Sequence, residues 1–395
     1  MIKKYTMLNY IPETLYTEAG VNPARVFNNK VITQPAACVI TRNFRFEDNF
    51  VLKFAQNNEH IVIFLKPVFE IKGKQEFFDR NFNLMLKKFK NYRVFTSQAE
   101  VDDFITDNKI QTIIRDFNPL LQPQEECIEV DGLNIVPARF VSDHKEYNAQ
   151  TLRRKIYFHI SEFLTDFEEA PDNEGFKVLQ EFIETKLDKY AEYRNNEYVT
   201  SRLSRYFNWG FLSPQRAAIE VLKSDTDSVN KEAFLEELIV RRELSSNFCL
   251  YAKNYKGFDD IPDWALMSLR AHGSDLRIHN YSREEFENAQ TADENWNKIQ
   301  QSLVNTGSIH PYLRMFWAKK ILEWSPEPEE ALRTAIYLND KYAYDAPSEN
   351  GYTAILWSIG GLHDRAFRDM PVTGKIRRMG EKLSLIHLSE PTRQA

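Results

Sequence analysis

At 395 residues the chain is too long for one ordinary core, and its length implies about two domains. Its 43% apolar and 27% charged residues exclude a disordered or fibrous protein. A net charge of −6 gives no general attraction to nucleic acid, so DNA binding would need a local basic face.

No apolar run is long enough to span a bilayer, and residues 1–5 (MIKKY) lack the apolar stretch of a signal peptide. Cys38, Cys127 and Cys249 lie far apart, with no CxxC pair, as expected of reduced thiols in a protein of the cytoplasm, or of the nucleus in a eukaryote.

The first part alternates β-branched runs with amphipathic stretches. Strands are expected over 38–42, 61–67, 92–97 and 112–117, with helices over 47–58, 75–91 and 98–108 between them. That order predicts an α/β N-terminal domain over 1–140, with a parallel, Rossmann-like sheet and right-handed crossovers. It carries neither GxGxxG nor GxxxxGK[ST], so no ordinary dinucleotide or P-loop site is expected. Residues 141–198 are charged and helix-prone, a helical connector.

From 199 to 379 the pattern is almost wholly helical. Ser213-Pro214 and Ser325-Pro326 each set a hydroxyl cap before a proline suited to the first helical position. Ser282 with Glu285, and Thr291 with Glu294, have the spacing of capping boxes, and Gly307 should end the helix that Thr291 begins.

Five segments stand out: residues 200–204 (TSRLS), 234–248 (FLEELIVRRELSSNF), 308–324 (SIHPYLRMFWAKKILEW), 337–342 (YLNDKY) and 351–365 (GYTAILWSIGGLHDR). TSRLS offers hydroxyls, an Arg and backbone amides, donors that can hold a diphosphate; taken alone it is a helix cap. Glu237 and Arg241 lie four apart, the spacing of an ordinary surface ion pair. Leu313, Trp317, Lys320/Ile321 and Trp324 share a helical face, ordinarily core packing. Trp is also among the most easily oxidised side chains, so a spaced set can pass an electron by hops. The run 375–378 (KIRR), with Arg365 and Arg368 before it, is the strongest basic stretch. The eight histidines show no HExxH or other ligand spacing, so no metal is expected; His363-Asp364 has the makings of a structural hydrogen bond.

In order and spacing these segments resemble the class II DNA photolyases of the photolyase/cryptochrome family, over about residues 200–379. The resemblance extends more weakly through 44–49 (FRFEDN) and 134–137 (NIVP). It implies an all-α FAD-binding domain, with the FAD diphosphate wrapped by Thr200, Ser201, Arg202, Leu203 and Ser204. Arg314 and Asp345 match an ion pair beside the flavin ring, and Asn339 the residue facing its N5. Glu237 matches the glutamate that hydrogen-bonds the lesion, with Met315 and Trp357 as walls of the lesion pocket. Trp317, Trp296 and Trp324, in that order, match the electron path to the surface. Arg365 and Arg377 match positions that grip the DNA backbone.

The activity implied is light-driven repair of cyclobutane pyrimidine dimers by a monomer. A deazaflavin or a folate antenna is bound by some members. The rival within the family is a cryptochrome-type photoreceptor without repair, against which the retained Glu237, Met315 and Trp357 weigh. Arg205 stands where proline is common, Trp209 replaces a smaller aromatic, and Val240-Arg241-Arg242 replaces a stretch where some relatives stack a Trp. Residues 383–394 (LSLIHLSEPTRQ) resemble a translated sequencing-adapter read, so 380–395 is expected to be a non-native tail.

Overall fold

The computed structural model describes residues 6–17, 20–56, 60–121 and 126–379, so the expected tail at 380–395 lies outside the described residues. The chain divides into two compact units, Met1–Ala191 with Ser201–Leu250, and Glu192–Thr200 with Tyr251–Ala395. The division runs through the expected connector and helical part rather than between them.

The first unit holds a six-stranded sheet: β1 (Val26–Phe27), β2 (Ala36–Ile40), β3 (His60–Leu65), β4 (Tyr92–Phe95), β5 (Thr112–Asp116) and β6 (Ile128–Val130). Its order is β1-β6-β5-β2-β3-β4. The expected strands correspond to β2 through β5, all parallel, with Cys38 of β2 opposite Val62 of β3 and Ile114 of β5. Two- and three-residue strands fall below the length at which alternation is visible, which is why β1 and β6 carry no sequence signal. The sheet is mixed rather than wholly parallel, because β1 pairs antiparallel with β6 at the edge.

The helices Phe50–Ala55, Lys72–Leu86 and Gln98–Asp107 lie close to expectation. Strand β2 is buried at every residue, as a central parallel strand covered on both faces must be. Beside it Phe44, Phe64, Phe78, Phe82 and Phe211 form an aromatic cluster whose ring centroids lie 5.2–6.4 Å apart in the pairs that touch.

The second unit is helical. Its main elements are Asp263–Ala271, Glu294–Thr306, Pro311–Trp324, Pro328–Tyr342 and Glu349–Gly360. The Ser282–Glu285 capping box forms, and Gly307 closes its helix in the left-handed conformation at φ 64°. In the first unit Ser213 caps Pro214–Lys223 by accepting from the Arg216 N–H. Two expected caps differ. Asp293, not Thr291, caps Glu294–Thr306 by accepting the Trp296 N–H, while the Thr291 hydroxyl, two residues before the cap, donates to Asn297 Oδ1 at 2.8 Å. Ser325 closes the helix before it, and the next begins at Pro328.

Gly210 adopts φ +67°, and a Cβ there would lie 2.2 Å from the Arg42 carbonyl oxygen. Gly210→Ala should therefore destabilise the protein by about 1–3 kcal/mol, the cost of a strained left-handed residue. Gly20→Ala, with nothing within 4 Å of the new methyl, should stay within about 0.5 kcal/mol. Urea midpoints check both, and equal midpoints would refute the close-approach argument.

Candidate flavin and lesion site

In the first unit the helix Ser228–Leu235 widens into a π turn over Glu236–Arg241 before Arg242–Tyr251 resumes the α form. The Arg242 N–H donates to the Glu237 carbonyl, five residues back. Such turns are rare and concentrate at functional sites, and this one carries Glu237. Glu236 is held by Arg153 (Nε to Oε2, 3.0 Å), and Arg241 lies 3.4 Å from the same carboxylate. Arg241 thus lies against the carboxylate five residues back, a spacing that a π turn brings onto one helix face. Glu237 is half-buried.

Six residues on, Glu243 is fully buried and accepts the Ile135 N–H at 2.6 Å. Burial pushes its carboxyl up to about 7, against the pull of Arg242.

The segment after Thr200 places Arg202 in the left-handed region at φ 56°. Leu203 is wholly buried, so it can offer a ligand only backbone, and its N–H meets Ser201 Oγ at 3.4 Å. Ser204 starts a short helix and is exposed. Ser201, Arg202, Arg205 and Lys186 line a cleft of about 220 Å³ with Glu181. Three cations against one carboxylate suit a diphosphate. The two departures from the family pattern have local accounts. Arg205 lines this cleft and lies over Phe77 at 5.4 Å, while Trp209 packs edge-on against Phe69 and Phe78.

In the second unit Trp317 and Trp296 are entirely buried, stacked 6.4 Å apart with 4° between their planes. Trp296 meets Trp324 at 6.2 Å, and Trp324 is the most exposed of the three at 8%. The expected order, Trp317 to Trp296 to Trp324, is the order in which the rings touch. On the same helix Arg314 Nη2 meets both Asp345 oxygens at 3.1 and 3.3 Å. The Arg314 Nε is buried without a partner among the described residues, a donor left for an acceptor that the protein does not supply.

Asn339 is 1% exposed, and a Cβ at Gly351 would come within 2.9 Å of its Nδ2. Gly351 thus makes room for that amide. Met315 is half-buried beside Arg314 in sequence.

Trp357 is half-buried, with Lys319 Nζ 4.7 Å and the Arg377 guanidinium 5.6 Å from its ring centroid. Arg377 forms a two-bond pair with Asp364 at 2.9 and 3.1 Å. Arg365 is exposed and lies over Phe367, as Arg377 also does. Arg368, Lys375 and Arg378 are exposed as well, with the carboxylates of Asp364 and Asp369 in the same stretch. Lys319 was not visible as a site residue in the sequence. Its Nζ donates to the Ser358 carbonyl at 3.0 Å, and burial lowers its ammonium to about 7, against the pull of Asp364. Its only sequence signal is a lysine in an otherwise apolar helical run.

Among the described residues no helix is long and apolar enough to cross a membrane, and no three His, Cys, Asp or Glu are grouped to hold a metal.

The chain shares the photolyase fold. It superimposes on a bacterial class III photolyase from Agrobacterium tumefaciens with a TM-score of 0.62 at 15% identity, covering 86% of this chain and 83% of that one. It is 38% identical over 331 residues to the deoxyribodipyrimidine photo-lyase of Potorous tridactylus, covering 70% of this chain and 62% of that protein. It is 36% identical to those of Oryza sativa subsp. japonica and Arabidopsis thaliana, covering 68% and 69% of their lengths. No family model matches. The chain belongs to the deoxyribodipyrimidine photo-lyase family, and spans 62% to 69% of the length of these relatives.

Glu243 gives the site's surroundings a pH signature. A carboxyl raised by folding binds a proton more tightly in the folded chain than in the unfolded one. The stability it contributes is full below about pH 4.5 and is lost as pH rises through about 7. Unfolding free energy followed from pH 5 to 8 should therefore fall less steeply in Glu243→Gln, which still accepts the Ile135 N–H. Equal slopes would show that Glu243 titrates normally.

Proposed function

We propose that this chain is a class II photolyase: it repairs cyclobutane pyrimidine dimers in DNA by light-driven electron transfer from reduced FAD to a dimer flipped out of the duplex. The observation that carries the reading is the Trp317–Trp296–Trp324 ring series, which starts on the helix that carries Arg314 and ends at Trp324, the least buried of the three indoles.

The donor set fits a flavin. The orphaned Arg314 Nε supplies a hydrogen bond without a protein acceptor, and the cations around Ser201 match the charge of a diphosphate. Thr200, Ser201, Arg202, Leu203 through its backbone, and Ser204 would hold the diphosphate, with Arg314, Asn339 and Asp345 at the ring. When bound, reduced FAD supplies the photochemical electron. An antenna, deazaflavin or folate, would be a second chromophore.

The protein's own groups do the rest. Trp357 offers a flat, half-buried face on which an extruded base can stack, with Met315 as a polarisable filler. Arg365 and Arg377 are exposed and would hold phosphates, which positions DNA without reading its sequence. Glu237, protonated, would donate to the pyrimidine carbonyl as that oxygen gains negative charge. Arg241, which would favour the ionised form if it paired there, lies 3.4 Å from the Glu236 carboxylate.

Trp317→Phe should nearly abolish light-driven reduction of oxidised flavin, while repair from chemically reduced flavin survives, since that cycle returns its electron. If both persist, the indoles are core packing. Glu237→Ala should lower repair per absorbed photon in reduced, dimer-saturated enzyme, with a smaller loss of dimer binding. A charge-assisted bond contributes about 1.5–3 kcal/mol, and Glu237→Gln should retain more because an amide still donates. An unchanged yield in Glu237→Ala removes it from the chemistry. Flavin binding with no dimer binding at all would instead fit a photoreceptor.

A further inference from the structure

Trp317 donates its indole N–H to Gln300 Oε1 at 2.9 Å. Gln300 is entirely buried, and its Nε2 donates in turn to the Glu287 carbonyl at 3.3 Å. The second bond fixes which end of the amide faces the indole. Turning the amide over would set its NH₂ against the indole N–H and its oxygen against a carbonyl. Trp296 donates its own N–H to the Trp317 carbonyl at 3.1 Å. Both buried indole protons therefore end on amide oxygens, not on a carboxylate or an imidazole.

This choice of acceptor has a consequence for an indole that loses an electron. Oxidation makes its N–H strongly acidic. An amide oxygen lowers the energy of the cation by facing it with a negative dipole end, yet it is far too weak a base to take the proton. An indole that did lose its proton would be a neutral radical and a weaker oxidant, unable to draw an electron from its neighbour.

We propose that Gln300 is a positioning residue for light-driven electron transfer: it fixes the Trp317 ring and keeps the proton on its nitrogen, so that the electron vacancy moves on to Trp296. This rests on the electron-donor reading of the three indoles above. One electron leaves Trp317 for the light-excited, oxidised flavin. One electron from Trp296, stacked at 6.4 Å, then refills Trp317, and the proton on each nitrogen stays in place.

Gln300→Met and Gln300→Glu test the proposal on the full chain loaded with FAD. In the dark, ultraviolet resonance Raman spectra should show one indole N–H losing its bond in Gln300→Met and keeping it in Gln300→Glu. Transient absorption should show a severalfold lower yield of separated charge in Gln300→Met. The unmodified protein should give a flat pH profile. Gln300→Glu should match it at low pH and fall below it at high pH, where the carboxylate strips the proton and leaves a neutral radical on Trp317. Radicals of the same protonation and yield in all three proteins overturn the role of Gln300 alone. An unmodified protein that binds FAD but forms no Trp radical in the light overturns the electron-donor reading and this proposal with it.

Discussion

One carboxylate at the end of β5 holds the turn on which the polar architecture of the first unit depends. Asp116 is wholly buried and accepts from the Thr41 N–H and hydroxyl, both at 2.8 Å, and from the Arg42 and Asn43 N–H groups at 2.6 and 2.7 Å. The turn after β2 is thereby fixed, and it sends two buried guanidinium groups toward a later segment. Arg42 bonds the Asn208 carbonyl and side chain at 2.8 and 2.9 Å, and Arg45 bonds the Gly210 carbonyl at 3.1 Å. An open parallel sheet ordinarily takes ligands at its strand ends, at the point where strand order reverses. Here the protein's own arginines and the 208–210 backbone occupy the ends of β2 and β5. The sheet therefore works as an anchor for the stretch that begins at Ser201, and removing Asp116 would leave the buried Arg42 and Asn43 N–H groups of the turn without their acceptor.

The second unit shows the complementary use of polarity. Its helices bury large indoles, and the polar atoms carried inside with them meet partners chosen for chemistry as well as satisfaction. The Trp317 and Trp296 N–H groups face amide oxygens, while Lys319 reaches a backbone carbonyl beside Trp357. A cation near an indole face makes that indole harder to oxidise. Trp357, with the Arg377 guanidinium 5.6 Å from its ring, is thus a poorer electron donor than the stacked Trp317–Trp296 pair, and Lys319 at 4.7 Å adds to this only in its charged form.

Parallel strands buried on both faces announce themselves as continuous apolar runs, so β2, β3 and β5 were legible in the sequence. The two-residue β1 was not. Caps were legible where a single capping side chain stood before the helix, at Ser213 and Ser282, and misassigned at Thr291, where Asp293 two residues on offers its carboxylate to the helix N–H groups. The order of the indole series came from family resemblance, because helical periodicity relates Trp317 to Trp324 and says nothing about Trp296 on another helix. The π turn left no trace in the pattern at all. Its first residue, Glu236, is bonded by Arg153, and Glu243 just beyond it accepts the Ile135 N–H, long-range partners that local propensity does not encode.

The π turn also bears on the departure at Arg241, where some relatives place a stacking aromatic. In a regular helix Arg241 would sit one turn beyond Glu237 and could pair with it, holding that carboxyl ionised and unable to donate. The wider turn moves Arg241 to Glu236, which Arg153 already neutralises in part. On the reading proposed above Trp357 would be a flat surface offered to a base, and Lys319 Nζ and the Arg377 guanidinium lie 4.7 and 5.6 Å from its ring centroid. Both neighbours are themselves held, Lys319 by the Ser358 carbonyl and Arg377 by two bonds to Asp364, so the surroundings of that ring are fixed by the protein before any base arrives.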